Sequence, residues 1–219
     1  DGRDVSGFGF SPDLVWIKGR DAGGQNHNLF DTVRGAGSDK GLMSDSSEAE
    51  GADSEEYGYI SKFNPDGVTL NRGTDGSYHS NRMNKSGSNY VAWGWDMGGT
   101  TATNTDGGIT STVRANPTYG QSIVKYTGTG SNSTVGHGLS SAPEMIIAKA
   151  DDASYNWPVY HASLASNSHT LTFNSDAQSY DESNKFTSTA PTSSVFSVGN
   201  HGTNVNTKQQ IAYCFHSVS

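Results

Sequence analysis

The segment Pro12-Asp-Leu-Val-Trp-Ile-Lys18 returns as Pro143-Glu-Met-Ile-Ile-Ala-Lys149, and this echo constrains the fold more than any other feature of the chain. Each copy runs proline, acid, four apolar residues, lysine. Proline has no amide to give to a sheet ladder, so it suits the first position of a strand or the turn before it. An apolar run without polar alternation suits a strand covered on both faces. The chain therefore reads as two copies of a unit built around one buried strand.

Other segments repeat in the same order. Val5-Ser-Gly-Phe-Gly9 matches Val135-Gly-His-Gly-Leu139, and Asn26–Thr32 matches Asn156–Ala162. The Leu42-Met43 pair is replaced by His169–Phe173, Gly67–Leu70 by Val195–Val198, and Val91–Asp96 by Ile211–His216. Lys149 lies 131 residues after Lys18, His161 130 after Asp31, and His216 120 after Asp96. Such a drift arises when loops change length while strands are kept. Strands are expected at His27–Val33, Tyr57–Asn64, Val68–Leu70 and Tyr90–Asp96, with Pro65-Asp-Gly67 turning a hairpin. With no helical periodicity of useful length, the chain is expected to be all-β. It would hold two tandem duplicated β-sandwich units of jelly-roll or lectin-like type. The first unit spans 1–99 and the second 120–219. The Gly- and Thr-rich stretch 100–119 between them reads as linker.

Composition limits what such a chain can do. Only 32% of its 219 residues are hydrophobic and 27 are glycine, yet 10% aromatics argue against disorder. A formal charge of −8 opposes nonspecific binding to nucleic acid or to an anionic membrane. No apolar run is long enough for a membrane span. Cys214 is the single cysteine, so no intrachain disulfide can form, and its apolar neighbours predict a buried, inert thiol.

Catalytic signatures are absent: there is no Gly-x-Ser-x-Gly elbow, no His-Glu-x-x-His and no Walker loop. The acids Asp45, Glu48, Glu50, Asp53, Glu55 and Glu56 cluster without the spacing of a calcium loop and read as solvated. A long polar loop, 71–89, carries His79, Arg82 and Lys85. His27, His161, His169 and His216 lie in or beside strands without zinc spacing, and Asp31 and Asp96 stand where the second unit has His161 and His216. No cofactor, metal or catalytic residue is assigned. Trp157, in Asn-Trp-Pro, is the candidate ligand platform, with Tyr160 and His161 beside it. It can stack on a sugar ring or close the end of the sandwich, and packing is the plainer role. Trp16, Trp93 and Trp95 fall in strands, as core or interface residues.

The runs Gly9–Lys18, Asn28–Gly35 and Asn89–Trp95, with Tyr126–Ser131 and Ala190–Ser197 in the second unit, resemble a repeat of structural proteins from marine tailed phages, cyanophages especially. The resemblance covers nearly the whole chain outside 100–119, and its motifs are strands and turns. It implies a lectin-like β-sandwich in virion fibres, appendages or surface decorations, and it brings no catalytic residues to carry over. A Tyr-Thr-Gly strand precedes the second unit but not the first, so the first unit's N-terminal strand is expected outside this sequence. The resulting expectation is a non-enzymatic virion structural protein, a segment of a tail fibre, head fibre or capsid decoration protein, in host attachment or particle stabilisation. Its partners would be other virion proteins, further copies of itself as a homotrimer or other homo-oligomer, and a host surface glycan. The alternatives are a carbohydrate-binding lectin-like module and, third, a glycan-degrading enzyme.

Overall fold

The computed structural model describes residues 2–21, 25–52, 54–78 and 82–218. Strand accounts for 39% of it and helix for 4%, which makes the fold all-β. The chain divides into two compact units, Asp1–Asp96 and Met97–Ser219.

The first unit holds β1 (Arg3–Ser6), β2 (Leu14–Gly19), β3 (Asn28–Asp31), β4 (Leu42–Met43), one helical turn α1 (Ser54–Tyr57), β5 (Tyr59–Asn64), β6 (Gly67–Asn71) and β7 (Tyr90–Trp95). They form two antiparallel sheets, ordered β1-β6-β5 and β4-β3-β2-β7. Strand alternation sends Val15, Ile17 and Phe30 from one sheet onto Ile60, Val68 and Leu70 of the other, and Met83 completes this core. The turn into β6 requires a glycine. Gly67 sits at φ +155°, and a Cβ there would collide with the Val5 carbonyl of the neighbouring β1. Asp66 secures the same corner by accepting the amides of Gly7 (3.1 Å) and Gly9 (2.6 Å).

The second unit holds β8 (Ala102–Asn104), β9 (Ser111–Asn116), β10 (Gln121–Thr127), β11 (Ser133–Gly136), β12 (Met145–Ala150), β13 (Pro158–His161), β14 (His169–Thr172), β15 (Tyr180–Asp181), α2 (Ser183–Phe186), β16 (Val195–Val198) and β17 (Gln209–Phe215). Eight strands make one sheet, β15-β14-β13-β12-β17-β10-β9-β8, and β11 pairs with β16 in a second. Val124, Tyr126, Ile146, Ala148, Ala212 and Cys214 face Val135, Phe196 and Val198 across the layers, with Phe186 of α2 packed in.

The strands that recur in sequence also share their register. Val15 opposes Phe30 and Gly94, and Ile146 opposes Tyr160 and Cys214. Trp16 opposes Leu29 and Trp93, and Ile147 opposes Val159 and Tyr213. Val5 opposes Val68, and Val135 opposes Phe196. Leu29 opposes Leu42, and Val159 opposes Leu171. A one-residue slip would turn every apolar residue to the wrong face, so the apolar pattern holds these registers.

Several expectations are corrected. The stretch 100–119, read as linker, carries β8 and β9, both hydrogen-bonded into the eight-stranded sheet. β9 buries Ser111 and Val113 in alternation, and Ile109 joins the same core. Ser111 is buried there while Thr103 and Thr112 are exposed, a mixture that composition cannot tell from loop. The strand read at His27–Val33 is the shorter Asn28–Asp31, and the one read from Tyr57 begins at Tyr59, because Tyr57 belongs to α1. His79 and Asp53 lie outside the described residues.

Candidate binding surface

Three recurring polar positions of the repeat, Asp13/Glu144, Lys18/Lys149 and Asp31/His161, tie strands and loops together in their own units. After the proline, the amide of Asp13 donates to Trp95 O and its carbonyl accepts from Thr32 N. Glu144 does the same with Phe215 and Ala162, all four bonds being 2.8 Å. Lys18 reaches forward to Gln25 O (3.0 Å), and Lys149 to Ala153 O (2.8 Å) and Ala150 O (2.6 Å). An ammonium placed on carbonyls ties the loop to the strand that precedes it. Lys149 is fully buried, so these carbonyls replace its water shell.

The exchange of Asp31 for His161 has a similar cause. Asp31 Oδ1 accepts the amide of Val33 (3.0 Å), and His161 Nδ1 accepts that of Ser163 (3.1 Å). Either side chain closes a turn on the amide two residues ahead. Asp31 does more. With Arg34 it forms a 2.6 Å ion pair whose side chains are both inaccessible, and Arg34 also donates to Lys40 O and to Glu50. Two of the acids read as solvated are therefore engaged, since Asp45 likewise accepts the His27 amide at 3.0 Å. Among the described residues no group of three or more His, Cys, Asp or Glu side chains is placed to hold a metal ion.

The candidate platform is not a surface. Trp157 is 0% exposed, with its ring 6.5 Å from that of Phe173 and its amide on Asn174 Oδ1. Tyr160 is buried in the core beside Phe186, and its hydroxyl donates to Asn167. Trp157, just before β13, and Tyr160 within it are both covered, so neither presents a ring face to a ligand. His161 is half-buried and occupied with its turn. The trio is structural here: a proline after Trp157 fixes the corner, and the large ring is the part that gets covered.

An accessible tryptophan pair lies in the first unit instead. Trp93 is 44% exposed, and Trp16, opposite it in the ladder, lies 5.3 Å away at an interplanar angle of 45°. The His27 ring stands 6.2 Å beyond Trp16. Burial lowers the His27 pKa, opposed by Asp45 and reinforced by Lys18, so the imidazole favours its neutral form. The sequence places Trp93 in a strand, as a core or interface residue. The alternation of Val91, Trp93 and Trp95 gave its face, but not that β7 ends the sheet. Chemically this is an apolar, π-rich patch with a neutral imidazole at its margin. Cys214, the one thiol, is fully buried and its pKa is pushed up to about 12 by that burial, so no thiolate is available near neutrality.

The architecture is that of an all-β protein of antiparallel sheets, with an aromatic patch on the surface of its first unit. The chain belongs to the family described as Domain of unknown function (DUF7483), whose model matches residues 1–219. No curated protein and no solved structure matches it significantly.

Proposed function

We propose that this chain is a non-enzymatic structural segment of a phage virion, in a fibre or a capsid decoration, built by duplication of one β-sandwich. The observation that carries the reading is the repeat itself. The strand-and-turn motifs that resemble virion repeats, Gly9–Lys18 and Asn89–Trp95, are the same segments whose pairing registers recur between the units. Their polar residues are spent on holding loops, as Lys18, Lys149, Asp31 and His161 illustrate, and this suits a scaffold. The role is particle stabilisation or host attachment, and assembly is with other virion proteins and with further copies of the chain. Antibodies against the purified chain should decorate intact particles of the virus that encodes it, in negative-stain images with gold label. Particles that carry no label, from a preparation in which the denatured protein is also undetected, would sink the proposal.

A second reading is favoured by Trp93. A half-exposed tryptophan beside another is the kind of face on which a sugar ring stacks, which makes this unit a glycan-binding module. Glycan-array binding that disappears in Trp93→Ala, while Trp157→Phe retains it, would support this reading over a purely structural one. Absence of binding to any host surface glycan would remove it.

A further inference from the structure

The two units differ in one respect that their shared registers make quantitative. In the second unit β17 lies between β12 and β10, with β9 and β8 beyond. In the first unit β7, its counterpart, pairs only with β2, and among the described residues no strand lies on its other side. Exposure follows from this. Ala212 on β17 and Val135 on β11 are inaccessible in the core, whereas Ala92 on β7 is exposed and Val5 on β1 only partly covered.

The open edge is a specific one. Arg20 N donates to Asn89 O, and in an antiparallel ladder bonded pairs alternate, so Val91, Trp93 and Trp95 bond to β2. The amides and carbonyls of Ala92 and Gly94 then point outward. On β17 the corresponding residues Ala212 and Cys214 oppose Val124 and Ser122 of β10. The other outer strands are shorter or blunted: β4 and β15 have two residues, β8 has three, β1, β11 and β16 have four, and β5 carries Lys62 at a bulge. β7 has six residues, Tyr-Val-Ala-Trp-Gly-Trp, with no charge, proline or bulge. A long, apolar, unblunted edge is a template for strand addition.

We propose that β7 is an acceptor site for one added antiparallel strand, supplied by an extended polypeptide with the side-chain pattern of β10. The register of β10 on β17 defines that pattern. A small residue sits opposite Gly94, whose Cα is covered by the Phe8 ring, a β-branched apolar residue opposite Ala92, and an aliphatic residue opposite Trp93. In β10 these are Ser122, Val124 and Ile123. The added strand would cover Ala92 and extend the four-stranded sheet as β10 extends the other. This site is independent of the virion reading and stands or falls without it.

The test uses the 219-residue chain and a synthetic peptide with the sequence of Tyr119–Gly128. Saturable binding should slow amide exchange at Ala92 and Gly94 by about tenfold or more, since a paired edge exchanges only on opening. The peptide N-methylated at Val124, whose amide would face β7, should lose binding. The one N-methylated at Ile123, whose amide faces away, should keep it. Equal behaviour of the two methylated peptides, no saturation by about 1 mM (a standard free energy near −4 kcal/mol), or protection confined to 210–214 through exchange with β10, overturns the proposal. So does concentration-dependent protection of Ala92 and Gly94 without peptide, which assigns the edge to pairing between copies of the chain.

Discussion

His137 shows how closely a single residue can be specified. It is fully buried; Leu139 N donates to Nδ1 at 3.1 Å, and Nε2 stands 3.1 Å from Thr192 O. An acceptor on one ring nitrogen and a donor on the other define the neutral Nε2–H tautomer, and a proton on Nδ1 would face the Leu139 N–H. Burial lowers its pKa, against the raising effects of Thr192 O and Asp106 and with a further lowering from His216. Because the folded pKa lies below the unfolded value, the unfolded chain binds the extra proton first. Stability is full above about pH 6.5 and falls as the pH drops toward the folded pKa, by at most about 1.4 kcal/mol per pH unit. Urea titrations between pH 8 and pH 5 should show this loss, smaller in His137→Gln, and His27 acts in the same direction. The Arg34–Asp31 pair gives a second residue-scale prediction. Arg34→Met leaves a carboxylate buried without its cation and should cost about 3–5 kcal/mol, and adding Asp31→Asn should recover part of that. Equal stability of single and double variants would show that the pair is not coupled.

At the scale of elements, β12 and β17 are the central pair of the second unit, with Ile146 and Cys214 facing one another in the core. Truncating Ile146 to Ala should cost about 2–5 kcal/mol in denaturant melts, as for other fully buried aliphatic residues. Cys214 should ignore a soluble thiol reagent at neutral pH and react in full once the chain is denatured. Rapid native labelling would mean that β17 opens readily. The apolar strands were legible because four-residue apolar runs and Pro/Gly turns are local signals. β9 was not legible, because it buries one valine among Ser, Thr, Arg and Asn, and its partners β10 and β8 make it a strand. Gly94 and Cys214 occupy equivalent places but differ for a reason that is likewise not local: a side chain at Gly94 would strike the Phe8 ring.

For the whole molecule, acidity is the property that composition does set. A pI near 5.2 and a charge of −8 at neutrality place the solubility minimum near pH 5, where light scattering should rise steeply, and salt should weaken the pH dependence. The all-β class, the order of the strands and the registers shared by the two units are contained in the sequence. Alternation and apolar runs are fixed by neighbours along the chain, and a slipped register would expose the core. The sequence also identified which residues recur, but not what they do. Lys149, Asp31 and His161 acquire their tasks from carbonyls and amides that only the folded loops bring near. The tertiary structure alone decided that Trp157 is covered while Trp93 is open. Trp93 lies on β7, which ends its sheet, whereas Trp157 precedes β13, an inner strand, and packs against Phe173. The proline-to-lysine strand is legible in both units because it is a local pattern. Its two units nevertheless diverge at β7 and β17, where the number of flanking strands sets what is buried.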